Sequence, residues 1–249
     1  MYKPVHAIEV RIWGKTVGAV ALDPRLRYHQ SDFLSGITEP QEANILSRGN
    51  RVRLKSREIL FRQGDPAYKS FFILTGRLKL IKLHEEGKET ILRYIGPGEI
   101  TAIISVFKGK EYPATAESIG ITEAVGWDKQ TMEQLMLEYP PLSVNMLRCT
   151  INRLDELQNR YMEICAEQVE QRIARALLRI MKQSGHRAED GVRIDFPLSR
   201  QELADYIGAT IFTVSRILST WEKKGWIKSK REQITICDPH SLVLFSENP

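Results

Sequence analysis

Cysteine is scarce in this 249-residue chain: Cys149, Cys165 and Cys237 lie far apart, with none in the first half and no CxxC pair. That spacing argues against a structural zinc or a cysteine-held iron–sulfur cluster, so no such cluster is expected, and it fits a reducing compartment. Long apolar runs are also missing. None approaches the roughly 18 residues that span a bilayer, and the polar N-terminus has no signal-like apolar core, so a cytoplasmic protein with no membrane association is expected. Histidine is sparse, with five scattered copies. The sequence shows no Walker loop, no nucleophile–base constellation and no clustered metal ligands, and Gly96-Pro97-Gly98 is too short to cradle phosphate alone, so an enzyme is not expected. Cations are plentiful instead: the net charge is +5 and the pI about 9.1. That balance suits a polyanionic partner, and equally an ordinary basic protein.

The most informative segment runs from Leu198 to Trp221. Ser199 with Glu202 has the spacing of a capping box, in which each side chain accepts a first-turn N–H, and Leu203, Ala204 and Ile207 supply a buried face. Gly208 breaks that helix. Thr210 can cap a second one, with Val214, Ile217, Leu218 and Trp221 at helical spacing and Ile211, Phe212, Thr213, Ser215 and Arg216 facing out. After Gly225, residues 226–236 alternate apolar and polar around a charged tip, the pattern of a two-stranded wing that carries Lys228, Lys230 and Arg231. This is the plan of a winged helix-turn-helix that would grip double-stranded DNA, its second helix in the major groove. The alternative is helix packing without DNA, with the lysines a solvated face.

Between about Asn50 and Trp127 short alternating runs are separated by glycine: 59–61, 71–74, 78–83, 90–95, 114–118 and 123–127. Strands at such spacing predict a small barrel or jelly roll. Short helices are expected at 39–47 and 129–138. Pro140-Pro141 then opens a long helix, since proline is tolerated in a first turn. Val144, Leu147, Ile151, Leu154, Gln158, Tyr161 and Cys165 alternate steps of three and four, a heptad seam through which two copies could pair as a homodimer. Met146, Thr150, Leu157 and Ile164 form an offset stripe expected to rest on the barrel. The other reading is a helix that packs only on its own domain. A new helix is expected from Val169.

These elements together resemble the Crp/Fnr family of bacterial transcription regulators. The resemblance runs from about Ser31 to the C-terminus and is carried by Phe61-Arg-Gln-Gly-Asp-Pro-Ala, Phe72-Ile-Leu-Thr-Gly-Arg-Leu-Lys-Leu, Gly96-Pro-Gly-Glu99, Tyr112-Pro-Ala-Thr-Ala-Glu, Gln171-Arg-Ile-Ala-Arg-Ala-Leu-Leu and the 199–218 reader. It implies an α+β chain: an N-terminal β jelly-roll sensor domain of the cyclic-nucleotide-binding type, a long dimerisation helix and a C-terminal winged helix-turn-helix. The expected divisions are an extension at 1–30, the sensor at 31–140, the helix at 141–167 and the reader at 168–249. The implied function is a dimeric regulator switched by a small-molecule or gas effector, with an operator and RNA polymerase as partners. The loop 184–193 is a candidate polymerase contact. By the same resemblance Ser199, Arg200, Gln201, Thr210 and Thr213 meet phosphates, and Arg216 matches a guanine-reading arginine. Ile211 and Phe212 stand where many members carry Arg-Glu, so the half-site should differ.

The sensor departs from the family as well. Cyclic-nucleotide members hold ribose through the Glu of a Gly-x-Gly-Glu turn and the phosphate through an Arg-Ser pair. Glu99 is present, but Tyr112 and Pro113 occupy the pair's place, which argues against cyclic AMP. The run Ile100 to Phe107 reads as an apolar loop, so the expected pocket is Glu99, Ile100, Ile103, Ile104, Phe107, Tyr112 and Thr115; ordinary barrel core is the competing reading. Tyr112 to Glu117 resembles most the nitric-oxide-sensing (Dnr- and HcpR-like) branch, which often uses haem. A haem needs an axial ligand, for which His29 is the candidate and a surface histidine the alternative. The first 30 residues lie outside the resemblance. Ile8 to Leu22 reads as a hairpin weakly similar to the opening strands of HipA-type kinases, without kinase motifs after it. A regulator answering a cyclic nucleotide or another organic ligand, or a sensing subunit acting through a protein partner, stays open beside the leading reading.

Overall fold

The structure, a computed structural model, describes residues 10–12, 15–17 and 31–247. Two compact units are present, one spanning Asp23–Glu163 and the other Ile164–Pro249 together with Met1–Leu22. Strands β1 (Val10–Ile12) and β2 (Lys15–Val17) pair antiparallel, Val10 opposite Val17.

The first unit is an antiparallel β-roll flanked by helices. Helix α1 (Glu39–Ser47) precedes β3 (Asn50–Leu54), β4 (Ile59–Phe61), β5 (Lys69–Leu83), β6 (Glu89–Ile95), β7 (Ile100–Thr101), α2 (Ile103–Lys108), β8 (Thr115–Asp128) and α3 (Lys129–Glu138). The spine is β5 against β8, paired from Lys69 opposite Asp128 to Ile81 opposite Thr115; β3 and β4 add to β8, and β6 and β7 to β5. Where the sequence predicts four short strands, there are two long bent ones. Gly76 (φ +76°) in β5 and Gly120 (φ +73°) in β8 turn the backbone where the register between the two strands shifts, between Ile73 and Arg77. A Cβ at Gly76 would lie 2.3 Å from the Ile121 carbonyl oxygen, so the glycine bends β5 without ending it. The expected apolar loop 100–107 is likewise corrected: it is β7 followed by α2, joined at Ala102 in the left-handed region (φ 64°).

Two apolar clusters fill this unit. Phe61, Phe71, Ile73, Leu78, Ile95 and Tyr112 pack inside the roll. Phe33, Phe72, Trp127, Met132, Leu135, Leu142 and Met146 join the roll to its helices, and the buried Trp127 Nε1 donates to the Ile45 carbonyl at 3.0 Å. Helix α4 (Pro140–Ala166) enters this second cluster through Leu142 and Met146. Between them the buried Asn145 side chain donates to the Phe33 and Ser35 carbonyls at 3.0 and 2.7 Å. The inward stripe predicted from the sequence holds only at its start: Met146 is buried and Thr150 half-buried, whereas Leu157 and Ile164 are exposed. The half-buried positions farther along are Arg153, Glu156, Arg160 and Glu163, and the Arg160 guanidinium donates to the Leu92 carbonyl of β6.

The second unit begins with α5 (Val169–Ser184) and continues through β9 (Gly185–Ala188), β10 (Gly191–Ile194), α6 (Arg200–Ile207), α7 (Ile211–Lys223), β11 (Ile227–Lys230), β12 (Gln233–Ile236) and α8 (Pro239–Glu247). The expected loop 184–193 is the β9–β10 hairpin, which extends the two-stranded wing to a four-stranded sheet ordered β11-β12-β10-β9. Helix α8 was not foreseen. Asp238 starts it by accepting from the Ser241 amide at 3.0 Å, and Phe245 meets Trp221 edge-on at 5.7 Å. No helix among the described residues is long and apolar enough to cross a membrane.

Asn145→Ala leaves two carbonyls of the 33–35 segment unpaired in a buried place. The expected cost is about 1–3 kcal/mol. It should appear as a lower urea midpoint with an unchanged slope, followed by tryptophan fluorescence.

Candidate nucleic-acid interface and effector cavity

The reader's geometry is set by three local devices. Ser199 Oγ accepts from the Glu202 amide at 3.1 Å while Glu202 Oε2 accepts from the Ser199 amide at 3.0 Å, so α6 starts with a reciprocal cap. Gly208 takes φ +70° at the end of α6, a conformation without steric cost for glycine, and turns the chain. Thr210 Oγ1 then accepts from the Thr213 amide at 3.2 Å and opens α7. Leu203, Ala204 and Ile207 of α6 and Val214, Ile217, Leu218 and Trp221 of α7 are buried. The opposite side of α7 is left to solvent: Ile211 and Arg216 are exposed, and Phe212 is 83% exposed. A phenyl ring that open at the start of a helix is costly in water and suits an apolar contact such as a thymine methyl.

The predicted DNA-contacting residues divide into two groups. Gln201, Thr210, Ile211, Phe212, Arg216, Lys230 and Arg231 are exposed, and among the described residues Arg216 has no ion-pair partner. Ser199, Thr213 and Ser215 are half-buried, the first two within the caps. Arg200 is half-buried: its guanidinium donates to Ser229 Oγ at 3.0 Å and Glu222 Oε2 at 3.4 Å, while Glu222 Oε1 accepts from the Ser229 amide at 3.0 Å. It braces the wing against α7. Lys228, though exposed, pairs with Asp190 at 2.7 Å, and that hydrogen bond raises the lysine's pKa and lowers the carboxylate's.

In the first unit a cavity of about 220 Å³ lies between the roll, α2 and α4. Ile100, Ile103 and Ile104 line it, and so does Tyr112. Glu99, Phe107 and Thr115 do not belong to the lining, for identifiable reasons. Glu99 turns back on its own turn, accepting from the Gly96 amide at 2.6 Å and pairing with Arg93. Phe107 packs on the helical core cluster, and Thr115 Oγ1 accepts from the Gln63 amide at 3.0 Å. Tyr112 is a wall, its ring stacked on Phe61 at 4.1 Å and its hydroxyl engaged with the Lys69 backbone at 2.8 and 3.1 Å. The sequence reading missed the polar part of the lining: Arg93 from β6, and Cys149, Thr150 and Arg153 from α4. Their signal was present, since 149, 150 and 153 continue the helical face begun at 142 and 146.

Burial pushes the Cys149 thiol up to about 11. Arg153 is drawn down from the usual arginine range, first by burial and then by the charge of Arg93. Among the described residues the lining holds no histidine or methionine, and its one sulfur is a disfavoured thiolate, so these residues do not fit an axially ligated haem. His29 lies outside the described residues.

Residues 171–245 match the Crp-like helix-turn-helix domain and residues 51–139 the cyclic nucleotide-binding domain. Among curated relatives, a global nitrogen regulator of Synechocystis sp. is 28% identical over 190 residues, 76% of this chain and 84% of the relative. A CRP-like cAMP-activated global transcriptional regulator of Mycobacterium tuberculosis is 25% identical over 184 residues, 74% of this chain and 82% of the relative. A solved structure of a CooA mutant from Carboxydothermus hydrogenoformans superposes with TM-score 0.68 at 22% identity, covering 82% of this chain and 90% of that one.

With a thiol pKa near 11, only about one Cys149 in a thousand is thiolate at pH 8, so iodoacetamide should label the exposed Cys165 long before Cys149. Peptide mass mapping across pH should show the Cys149 rate still rising about tenfold per pH unit until it levels near pH 11. The two domain matches, in this order on one chain, place the protein in the Crp/Fnr family of transcriptional regulators.

Proposed function

We propose that this regulator binds operator DNA as a homodimer and is switched by a small effector held in the cavity between the β-roll and α4. The observation that carries the reading is the exposed start of α7, where Ile211, Phe212 and Arg216 stand clear of a helix pinned by Val214, Ile217 and Leu218. In the major groove Arg216 would donate to guanine O6 and N7, Phe212 would cover a thymine methyl, and Lys230 and Arg231 on the wing would meet phosphates. A single recognition helix buries little surface, so reading a long site calls for a two-fold partner. The exposed α4 seam of Val144, Leu147, Ile151, Leu154 and Tyr161, each 49–66% exposed, supplies the pairing face.

A second reading, a haem-borne nitric-oxide response, is supported by the resemblance of Tyr112–Glu117 to that branch. The described cavity favours an organic ligand instead. Purification with haem supplied separates them: a Soret band that shifts with nitric oxide supports the gas reading, and no band supports the organic one. RNA polymerase is the further partner this reading requires.

Selection of operator fragments from a random pool gives the site on which the DNA reading is tested. Arg216→Ala should cost about 1–3 kcal/mol at one base step and relax the preference there. Lys230→Ala should weaken all sequences alike and lower the salt slope by about one. Arg200→Ala should instead lower the unfolding temperature of the reader, because it leaves Glu222 and Ser229 without their brace. Equal binding of every operator variant by wild type and Arg216→Ala would overturn the assignment. For the dimer, Leu147→Glu with Leu154→Glu should yield a monomer in sedimentation velocity and lose most operator affinity.

A further inference from the structure

Two guanidinium groups from different elements meet in the effector cavity. Arg93 comes from the strand β6 and Arg153 from the helix α4, and both line a space whose remaining walls are largely apolar: Phe61, Leu80, Leu92, Ile100, Ile103 and Ile104. Each has one carboxylate partner at its side, Glu99 for Arg93 and Glu156 for Arg153, the latter at 2.6 Å. Those pairs do not satisfy the site. Arg93 Nε is buried and has no hydrogen-bond partner. The two cations also act on each other, since the Arg93 charge helps destabilise the protonated form of Arg153. Two cations lining one cavity, each with a carboxylate only at its side and one with a buried donor unused, can take a further anion between them.

Resting on the reading of this cavity as the effector site, we infer that the effector is a small organic acid, its carboxylate bridging Arg93 and Arg153 and its apolar body lying against Ile100, Ile103, Ile104 and Phe61. Three features select that class. A guanidinium fork matches the two oxygens of a planar carboxylate. The cavity, about 220 Å³, is smaller than the roughly 300–1,000 Å³ that houses drug-sized ligands, so a few carbons beyond the carboxylate fill it. A nucleotide's sugar and base need several further polar partners, and of the lining hydroxyls Tyr112 is engaged by the Lys69 backbone and Thr150 by the Met146 carbonyl, which leaves only Thr101 and Ser105. A carboxylate held this way links β6 to α4 and competes with Glu99 and Glu156 for the two arginines. Binding therefore exchanges internal ion pairs for a ligand that ties the strand to the long helix.

The test uses the full-length protein with benzoate and isovalerate as probes, their neutral isosteres benzamide and isovaleramide, and cyclic AMP. At about 10 mM, a large excess over a Kd near 0.1 mM, the acids should raise the unfolding temperature and the amides should not. Titration calorimetry should then show Arg153→Gln and Arg93→Gln each weakening the better acid at least about 30-fold, the loss expected for one partner of a buried charged hydrogen bond. The inference is overturned if the amides stabilise as much as the acids, if neither acid binds, if cyclic AMP binds more tightly than both, or if both variants bind like the wild type. The contrast between acids and amides is read on the wild type, so a variant that misfolds does not remove the test. Operator retention is measured on the same samples. Retention with no acid response sinks this inference alone, and loss of retention by the wild type sinks the regulator reading alone.

Discussion

The rest of the sensor depends on how the first turns of α4 are seated. Leu142 and Met146 sink into the cluster around Phe33, Phe72 and Trp127, and Asn145 is bound to the backbone at Phe33 and Ser35. Full burial of one such leucine is worth about 1.5–3 kcal/mol, and the amide hydrogen bonds add direction that apolar contact lacks. With the rotation fixed at three residues, the 3.6-residue period decides every later position. Cys149 and Arg153 fall on the cavity, Arg160 reaches the Leu92 carbonyl, and Leu147, Ile151 and Leu154 are turned to solvent. One seated turn thus assigns both the cavity-facing and the solvent-facing side of the helix.

The charged half of the cavity is not a stability device. Removing two guanidiniums from water costs several kcal/mol each, and a side-by-side carboxylate repays that only with good geometry and all donors used. Arg93 leaves Nε unused. Leucine or methionine at 93 and 153 would pack the same walls at lower cost. Ionisable groups kept in a cavity at such expense mark a place where charge is used.

Legibility of the sequence followed the range of the interactions. The caps at Ser199 and Thr210, the turn at Gly208 and the helix breaks at Pro140 and near Ala166 are set by neighbours within four residues, and all can be read from the chain. The β5 and β8 bends were not legible, because a glycine in a strand run marks an end or a bend alike, and only the Ile121 carbonyl packed against Gly76 decides. Ile100 to Phe107 carries apolar residues throughout, so its periodicity could not separate loop from helix. The arginines of the cavity are not legible as a pair, because Arg153 lies beside the apolar seam of α4 and Arg93 sits on a strand about 60 residues away. Pairing across that distance is tertiary information.

The fold by itself does not name the effector. The relatives named above include a regulator described as cAMP-activated and a global nitrogen regulator. A backbone common to such chains leaves the ligand to the side chains lining one cavity. In the reading proposed above, three positions would carry the distinction. Tyr112 closes a wall with its hydroxyl already bonded, Arg93 projects from the sheet, and Arg153 projects from the helix. The reader repeats the pattern: the scaffold of α6 and α7 is buried, while Phe212 and Arg216 stand exposed on it, where the proposed reading has them meet bases. In both units the buried face specifies geometry and a few residues beyond it specify chemistry. Effector and operator can therefore change independently without disturbing Leu142, Asn145, Val214 or Leu218.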